Sequence, residues 1–533
     1  MNDILNKLIK YNIGVKVIDN QIQLDVPKDV NIAPILEEIK LNKEQLILHF
    51  KTLKKAVSKG NTPSIQFEKR NFENYVSDGE HKYYELFYQQ EKEYIRYKII
   101  GKFDFNIVFT MDFENIEIPI IEKTLATILS RHESLRTQYK FINKLPKQYI
   151  VEDYELPIAY HDLKNVSDKD ILLPRLRHEA MYRAFDLEKE LCSFMTLIRN
   201  SDERTTLIFT IHHANADYSS IGILKREILT IIEAYKHYKD NPLRDLKTQY
   251  RHYGQWLNST LNSEEGIKIK NEYLNKIKAS VSGSLYEGLI EFLNNHNNTY
   301  KRHLQTELNQ FKIENRQEIE NRAFGKLVNI IPQKGAIYAV TLDDYLIKQI
   351  EKAAIIYKVS SFILLLSSFV LASSKFSNKK NARVYIPFST RVVEEFEPIV
   401  GYLNNIVVLC LKVSSEYTLE KFIRYVASEF FKFSEYRLYP SEEILDELDL
   451  SLDMLAPMFI NYIKYPNPLS SEFIEGHKED PSCHFNLGMT ISEYKNVTLM
   501  EIRYNLNTYS KKDIERFTLL YIDILTRMIE NND

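Results

Sequence analysis

Glycine, cysteine and tryptophan are scarce in this 533-residue chain, at 14, three and one. So little glycine counts against phosphate-cradling loops, many-turned barrels and collagen-like repeats. No G-x-G-x-x-G, Walker or G-x-S-x-G segment occurs, which removes the dinucleotide, P-loop and nucleophile-elbow chemistries. There is no Gly-Gly dipeptide either. Cys192, Cys410 and Cys483 are scattered and never form a C-x-x-C pair. Neither a disulfide framework nor a thiolate zinc site is expected. Charge of one sign is lacking too. Lys and Arg total 70 against 73 Asp and Glu, a net −3. No global field therefore draws nucleic acid or an anionic membrane. The longest apolar stretch, Val359–Ala372, holds four serines and is too short to span a bilayer. The first residues, Met1–Gly14, lack the apolar core of a signal peptide. A reducing, cytoplasmic setting is the expectation.

What the chain does have is aromatic residues, 35 Tyr and 28 Phe, in an ordinary globular mixture of 44% apolar and 27% charged residues. Charge divides it. Residues 1–60 carry ten Lys against seven Asp and Glu, a net +3, and the remainder is −6. In that basic head, Ile4, Leu5, Leu8 and Ile9 recur at helical spacing up to Gly14. Val15, Lys16 and Val17, then Gln21, Ile22, Gln23 and Leu24, alternate around Asp19-Asn20 as a hairpin. Two helices follow, with Ile35, Leu36 and Ile39, then Leu46, Ile47, Phe50 and Leu53. Residues 58–65 form a polar linker. A two-stranded hairpin leaves edges unpaired and invites strand addition by a partner peptide, and the +3 charge implies an acidic one. A plain subdomain packed on the rest is the alternative.

Beyond Gln66, strand-like runs (Lys98–Ile100, Thr205–His212, Val384–Pro387, Ile406–Val413, Thr498–Tyr504) mix with helical ones (Pro119–Ser130, Ser220–Tyr238, Leu342–Tyr357, Lys511–Asn531). Residues 290–325 read as a solvated insertion. Chemistry concentrates at His212-His213-Ala214-Asn215-Ala216-Asp217-Tyr218, a turn between a buried strand and a helix. Consecutive strand residues face opposite sides, so His212 and His213 cannot share one metal easily, and no H-E-x-x-H motif supplements them. One histidine is expected to be buried and the other to face a cleft.

This segment resembles the H-H-x-x-x-D-G signature of nonribosomal peptide synthetase condensation domains. Arg131-His132-Glu133-Ser134-Leu135-Arg136-Thr137 matches the family's R-H-E-x-L-R-T. Phe185-Asp186-Leu187 fits as well. Tyr250-Arg251-His252-Tyr253-Gly254-Gln255-Trp256 resembles Y-x-D-[FY]-A-x-W, with His252 for Asp. Val400-Gly401-Tyr402-Leu403-Asn404-Asn405 resembles V-G-x-F-V-N-T, preceded by Pro387 and Arg391. The chain departs from the family at Ser77-Asp78-Gly79-Glu80, a weakened first motif, and at Tyr436–Glu443. It departs also at Tyr218, which replaces the signature glycine and would narrow or reshape the acceptor side.

The resemblance implies an α+β fold. A small α-β-β-α-α docking domain (residues 1–57) and the linker precede two chloramphenicol-acetyltransferase-like lobes in a V, residues 66–245 and 246–533. It implies an acyltransferase that forms an amide by aminolysis of a peptidyl or aminoacyl thioester. No cofactor is bound covalently, because the donor rides on the 4′-phosphopantetheine of a partner carrier protein. His213 would be the catalytic residue and His212 structural. Asp217 would be salt-bridged, with Arg136 the first choice of partner and Arg391 the second. The docking strands would take the acidic C-terminal tail of an upstream synthetase subunit. With no L-G-G-x-S carrier site in the sequence, a stand-alone, chain-releasing enzyme acting on a small free amine is expected. The alternatives are a catalytically degenerate recruitment module and an ester-forming or epimerising relative.

Overall fold

The computed structural model describes residues 14–18, 21–25, 74–101, 105–281, 333–448, 458–465, 476–483 and 485–530, with Leu36, Ile39 and Lys43. The chain divides into two compact units, Met1–Ile65 and Gln66–Asp533.

In the first unit, Gly14–Ile18 (β1) and Gln21–Asp25 (β2) pair antiparallel, with Val15 opposite Leu24, Lys16 opposite Gln23 and Val17 opposite Ile22. Alternating branched and polar residues favour such a ladder. Apart from Leu36, Ile39 and Lys43, the helices expected around this hairpin lie outside the described residues, as does the insertion at 290–325.

The second unit begins with Tyr75–Ser77 (β3), Lys82–Glu85 (β4), Tyr88–Ile100 (α1), Asn106–Glu114 (β5), Ile118–Arg131 (α2), Thr137–Ile142 (β6), Leu145–Ile150 (β7), Ile158–Asp162 (β8), Lys169–Met181 (α3), Ser193–Arg199 (β9), Arg204–His212 (β10) and Tyr218–Lys236 (α4). These build two four-stranded sheets, β3-β4-β7-β6 and β5-β10-β9-β8. Strand β10 lies inside the second sheet, and its alternating residues serve two cores. Leu207, Phe209 and Ile211 share one core with Leu125 and Ile128 of α2 and Ile223 and Leu224 of α4. Ile208 faces the other way, against Ile198, Leu163 and Ala180. A strand covered on both faces carries no charged side chain, and Thr205–Ile211 holds only Thr, Leu, Ile and Phe, residues that suit a buried strand.

Lys98–Ile100, expected as a strand, is instead the last turn of α1. Tyr94 and Ile95 one turn earlier are fully buried, and that packed helical face overrides the β-branched pair. The helix stops at Gly101, which adopts φ 79°.

The chain continues with Tyr250–Leu261 (α5), Glu264–Val281 (α6), Gln333–Leu342 (β11), Asp344–Tyr357 (α7), Ser361–Ser377 (α8), Asn381–Ser389 (β12), Asn404–Lys412 (β13), Leu419–Ser434 (α9), Ser441–Leu448 (α10), Met458–Lys464 (β14), Gly476–Cys483 (β15), Leu487–Glu493 (β16), Thr498–Asn505 (β17) and Lys511–Glu530 (α11). A seven-stranded sheet runs β13-β12-β14-β16-β17-β11-β15, with β14 parallel to both neighbours. The apolar stretch at Val359–Ala372 forms most of α8, a buried core helix packed on α11. Among the described residues no single helix is long and apolar enough to cross a membrane.

The N-terminal sheets and the seven-stranded sheet meet through α5. Tyr250 and Tyr253 set their rings edge-on to Phe87, at 5.1 and 5.4 Å. Gly254 permits this approach: a Cβ there would lie 2.4 Å from the Phe87 ring. Trp256 packs on Phe396 at 4.7 Å.

Candidate active site

Strand β10 delivers two histidines to the seam. His212, its last residue, is fully buried. Its main-chain N–H bonds Cys192 O at 2.8 Å, and its Nδ1 accepts from the Ala214 N–H at 3.2 Å. Burial first, then the neighbouring His213 and Arg96, hold its pKa down to about 3. It is a neutral ring that starts the 3-10 turn His213–Asn215.

His213 is half-buried. Its main-chain N–H bonds Phe105 O at 2.7 Å. Its imidazole stacks on the Phe105 ring at 4.6 Å and lies against Tyr402 on the other side at 4.4 Å. Phe105 precedes β5, whereas Tyr402 comes from the loop between β12 and β13. The imidazole is thus clamped between both halves of the unit. Burial lowers its pKa, opposed by its own main chain, Glu93 and Asp217. An imidazole in that state is neutral near pH 7 and free to accept a proton.

The rest of the turn is anchored. Tyr250 Oη donates to Ala214 O at 3.0 Å, and Tyr139 Oη donates to Asn215 Oδ1. Asp217 caps α4. Its Oδ1 accepts from the Ser220 N–H at 2.9 Å and Ser220 Oγ at 2.8 Å, a capping box that satisfies orphan donors of the helix start. The same carboxylate binds Arg391 through Nη1 at 2.6 Å and Nη2 at 3.0 Å. It also accepts from the Leu403 N–H at 3.0 Å. Arg391 Nη2 continues to Ile399 O at 2.9 Å. Ser220 Oγ accepts from the Gly401 N–H at 3.1 Å. The loop 391–403 is therefore pinned onto the histidine turn, which sets where Tyr402 stands. Gly401 is required there, because a Cβ would sit 2.3 Å from the Tyr250 ring.

Arg136, the first choice as Asp217's partner, does not reach it. Its guanidinium bonds Leu129 O at 2.9 Å, Ser130 O at 3.3 Å and Val151 O at 2.6 Å, with Glu152 at 3.1 Å. It follows α2 by a single 3-10 turn, so its nearest acceptors are the orphan carbonyls at the C-terminus of that helix. Arg391 holds the position instead.

Tyr218, the first residue of α4, is half-buried and meets Tyr465 edge-on at 5.0 Å. Tyr465 stacks on Tyr494 at 4.3 Å. Burial and then Tyr494 push the Tyr218 phenol up to about 12, so it stays a neutral donor. His252, in place of the family's Asp, is the third residue of α5; its Nδ1 accepts from the N–H of the N-cap Gln249 at 3.1 Å and closes a capping box at that helix start. Ser77–Glu80 is exposed, the last residue of β3 and the start of the turn into β4. Helix α1 also packs on the histidine turn. Its Lys92, Glu93 and Arg96, with Phe105 and Tyr402, were not singled out in the sequence. Of these, only Tyr402 fell within a quoted motif, Val400–Asn405; nothing in the sequence pointed to the others.

A condensation-domain family model matches residues 58–320 and 332–533. The chain belongs to that family, the condensation domains of nonribosomal peptide synthesis. Bacitracin synthase 1 of Bacillus licheniformis is 23% identical over 460 residues, 85% of this chain and 8% of that protein. Bacitracin synthase 2 of the same organism is 24% identical over 453 residues, 83% of this chain and 16% of that protein. The chain thus spans a small part of these relatives. Among solved structures, the condensation domain that mediates chain release from the enacyloxin polyketide synthase superposes with a TM-score of 0.63 at 12% identity. That match covers 99% of this chain and 95% of that one. The EpoB cyclization-docking bidomain of Sorangium cellulosum gives 0.59 at 13% identity, covering 99% and 98%. At such identities the likeness is one of fold.

Proposed function

We propose that this protein forms an amide from a carrier-bound acyl thioester and a small free amine, with His213 as general base. Condensation domains are amide-forming, acyltransferase-like enzymes that work on phosphopantetheine-bound substrates. The observation that carries the reading is the half-buried His213 imidazole, kept neutral by burial and clamped between Phe105 and Tyr402. The amine nitrogen attacks the thioester carbonyl and a C–N bond forms. His213 takes the proton that the nitrogen must lose. The C–S bond then breaks, and the proton passes to the departing pantetheine thiolate. Holding both reactants in one site removes much of the entropic barrier. His212 and Asp217 orient the turn and do not touch the reacting atoms. The preference for a small acceptor is supported by Tyr218, which puts a ring beside Tyr465 where the family signature has glycine. The β1–β2 hairpin, in its own compact unit, suits strand addition by an acidic tail of an upstream subunit.

An acyl-loaded donor carrier, incubated with the protein and a panel of amines and alcohols, reports the product by mass. Amides of small amines are expected. His213→Ala should lower their formation at least ~100-fold, the range of general acid–base catalysis. Wild-type turnover in that variant overturns the role of His213. Esters as the only product overturn the amine acceptor.

A further inference from the structure

Two carboxylates influence the His213 imidazole, and their surroundings differ. Asp217 is saturated by Ser220, Leu403 and the bidentate Arg391, so its charge is compensated where it sits. Glu93, on α1, is 1% exposed. Its Oε2 has no hydrogen-bond partner among the described residues. It sits 3.7 Å from Arg96 Nη1, and its Oε1 sits 3.6 Å from Lys92 Nζ, both beyond hydrogen-bond length.

Those same two cations reach over the rings that clamp His213. Arg96 Cζ lies 5.3 Å from the Phe105 centroid, and Lys92 Nζ lies 5.8 Å from that of Tyr402. Both are within cation–π range. One turn of α1 therefore presents Lys92, Glu93 and Arg96 to the histidine clamp, with the carboxylate between the two cations. A buried carboxylate without full hydrogen bonding is costly.

We infer that Glu93 is a positioning residue of the condensation reaction, its buried negative charge stabilising the imidazolium that forms when His213 accepts the amine proton. The inference rests on the reading of His213 as base. The groups around the imidazole are Lys92, Glu93 and Arg96 from α1, and His212 and Asp217 from its own turn. Arg391 and Tyr402 come from the loop beyond β12, and Tyr250 from α5. Lys92 opposes Glu93, and both act on His213 through space. Removing Glu93 takes away a charge that favours the imidazolium while Lys92, which opposes it, stays, and protonation of the ring becomes harder. Removing Lys92 does the reverse.

The test is the titration of His213 by NMR, its imidazole signals assigned by their loss in His213→Ala, beside the pH profile of amide formation. In Glu93→Gln the His213 midpoint should move to lower pH. The acid limb of kcat/KM should move with it, and kcat should fall roughly tenfold, a fraction of the full acid–base contribution. Lys92→Gln should move the His213 midpoint to higher pH. Because it leaves the carboxylate in place, it keeps the test decisive if Glu93→Gln does not fold. A His213 midpoint unmoved in Glu93→Gln, or unmoved in Lys92→Gln, overturns the inference. If both variants shift the titration while the wild-type protein makes no amide, the reaction assigned to His213 fails, and with it the positioning role. The titration and the product assay thus identify which of the two has failed.

Discussion

Tyr218 occupies the position after the helix-capping Asp217, and its place in the proposed reaction rests on its ring. It stands edge-on to Tyr465, with Tyr494 stacked behind, where the family signature has glycine. Tyr218→Gly is expected to raise kcat/KM for bulky amines roughly tenfold, and that for a small amine should change less, since a side-chain-sized difference in a pocket is worth about 1–3 kcal/mol. Competition between a small and a bulky amine, read by mass, checks this. An unchanged product ratio removes Tyr218 from the acceptor wall. At this scale the sequence was legible where the backbone alone decides. Alternation along β10 separates the two histidines, and His212 is the buried one. It was not legible where a partner comes from far along the chain. Arg136 and Arg391 both carried the right charge. Only the packing of the 391–403 loop on α4 gives Asp217 its bidentate partner, whereas Arg136 is spent on the carbonyls of its own adjacent helix.

At the scale of elements, the start of α4 and the loop 391–403 behave as one piece. Asp217 satisfies the helix start and neutralises Arg391, and both side chains are almost wholly buried, at 2% and 8% exposure. Asp217→Asn keeps the shape and leaves the guanidinium buried without its counter-charge. Breaking a buried pair in this way costs about 3–5 kcal/mol. The variant should unfold at lower denaturant, followed by tyrosine and tryptophan fluorescence, and amide formation should fall as Tyr402 loses its position against His213. An unfolding midpoint equal to wild type would show that the pair does not hold the loop. Strongly periodic elements such as α2, α4 and α11 were readable from their spacing, because one apolar face repeats over three or more turns. The end of α1 was not, because two isoleucines read as strand when the buried face behind them is unseen. The charged residues of α1 were not read as part of a site, because nothing next to them in the sequence shows what packs on that helix. Their burial is a property of the site they line, and local pattern carries no trace of it.

At the scale of the whole molecule, the proposed reaction draws its donor from a partner carrier protein, and at low concentration the encounter would limit it. The net +3 of residues 1–60 and the β1–β2 ladder within a separate compact unit suit capture of an acidic strand. Tethering of that kind replaces free diffusion by an effective concentration in the millimolar range for a short flexible link. Deleting residues 1–65 should therefore leave kcat at saturating donor nearly unchanged. The apparent KM for a carrier bearing an acidic C-terminal tail should rise by about 10²-fold, the lower end of the avidity gain. KM for the same carrier without the tail should not change. Raising ionic strength should erode the advantage of the tail in the full-length protein, because exposed charges more than about 8 Å apart are screened at physiological salt. Initial rates against carrier concentration, for both proteins and both carriers, give the four KM values needed. A tail that confers no advantage on the full-length protein would leave the basic unit without a docking role, while the chemistry assigned to His213 would stand untouched.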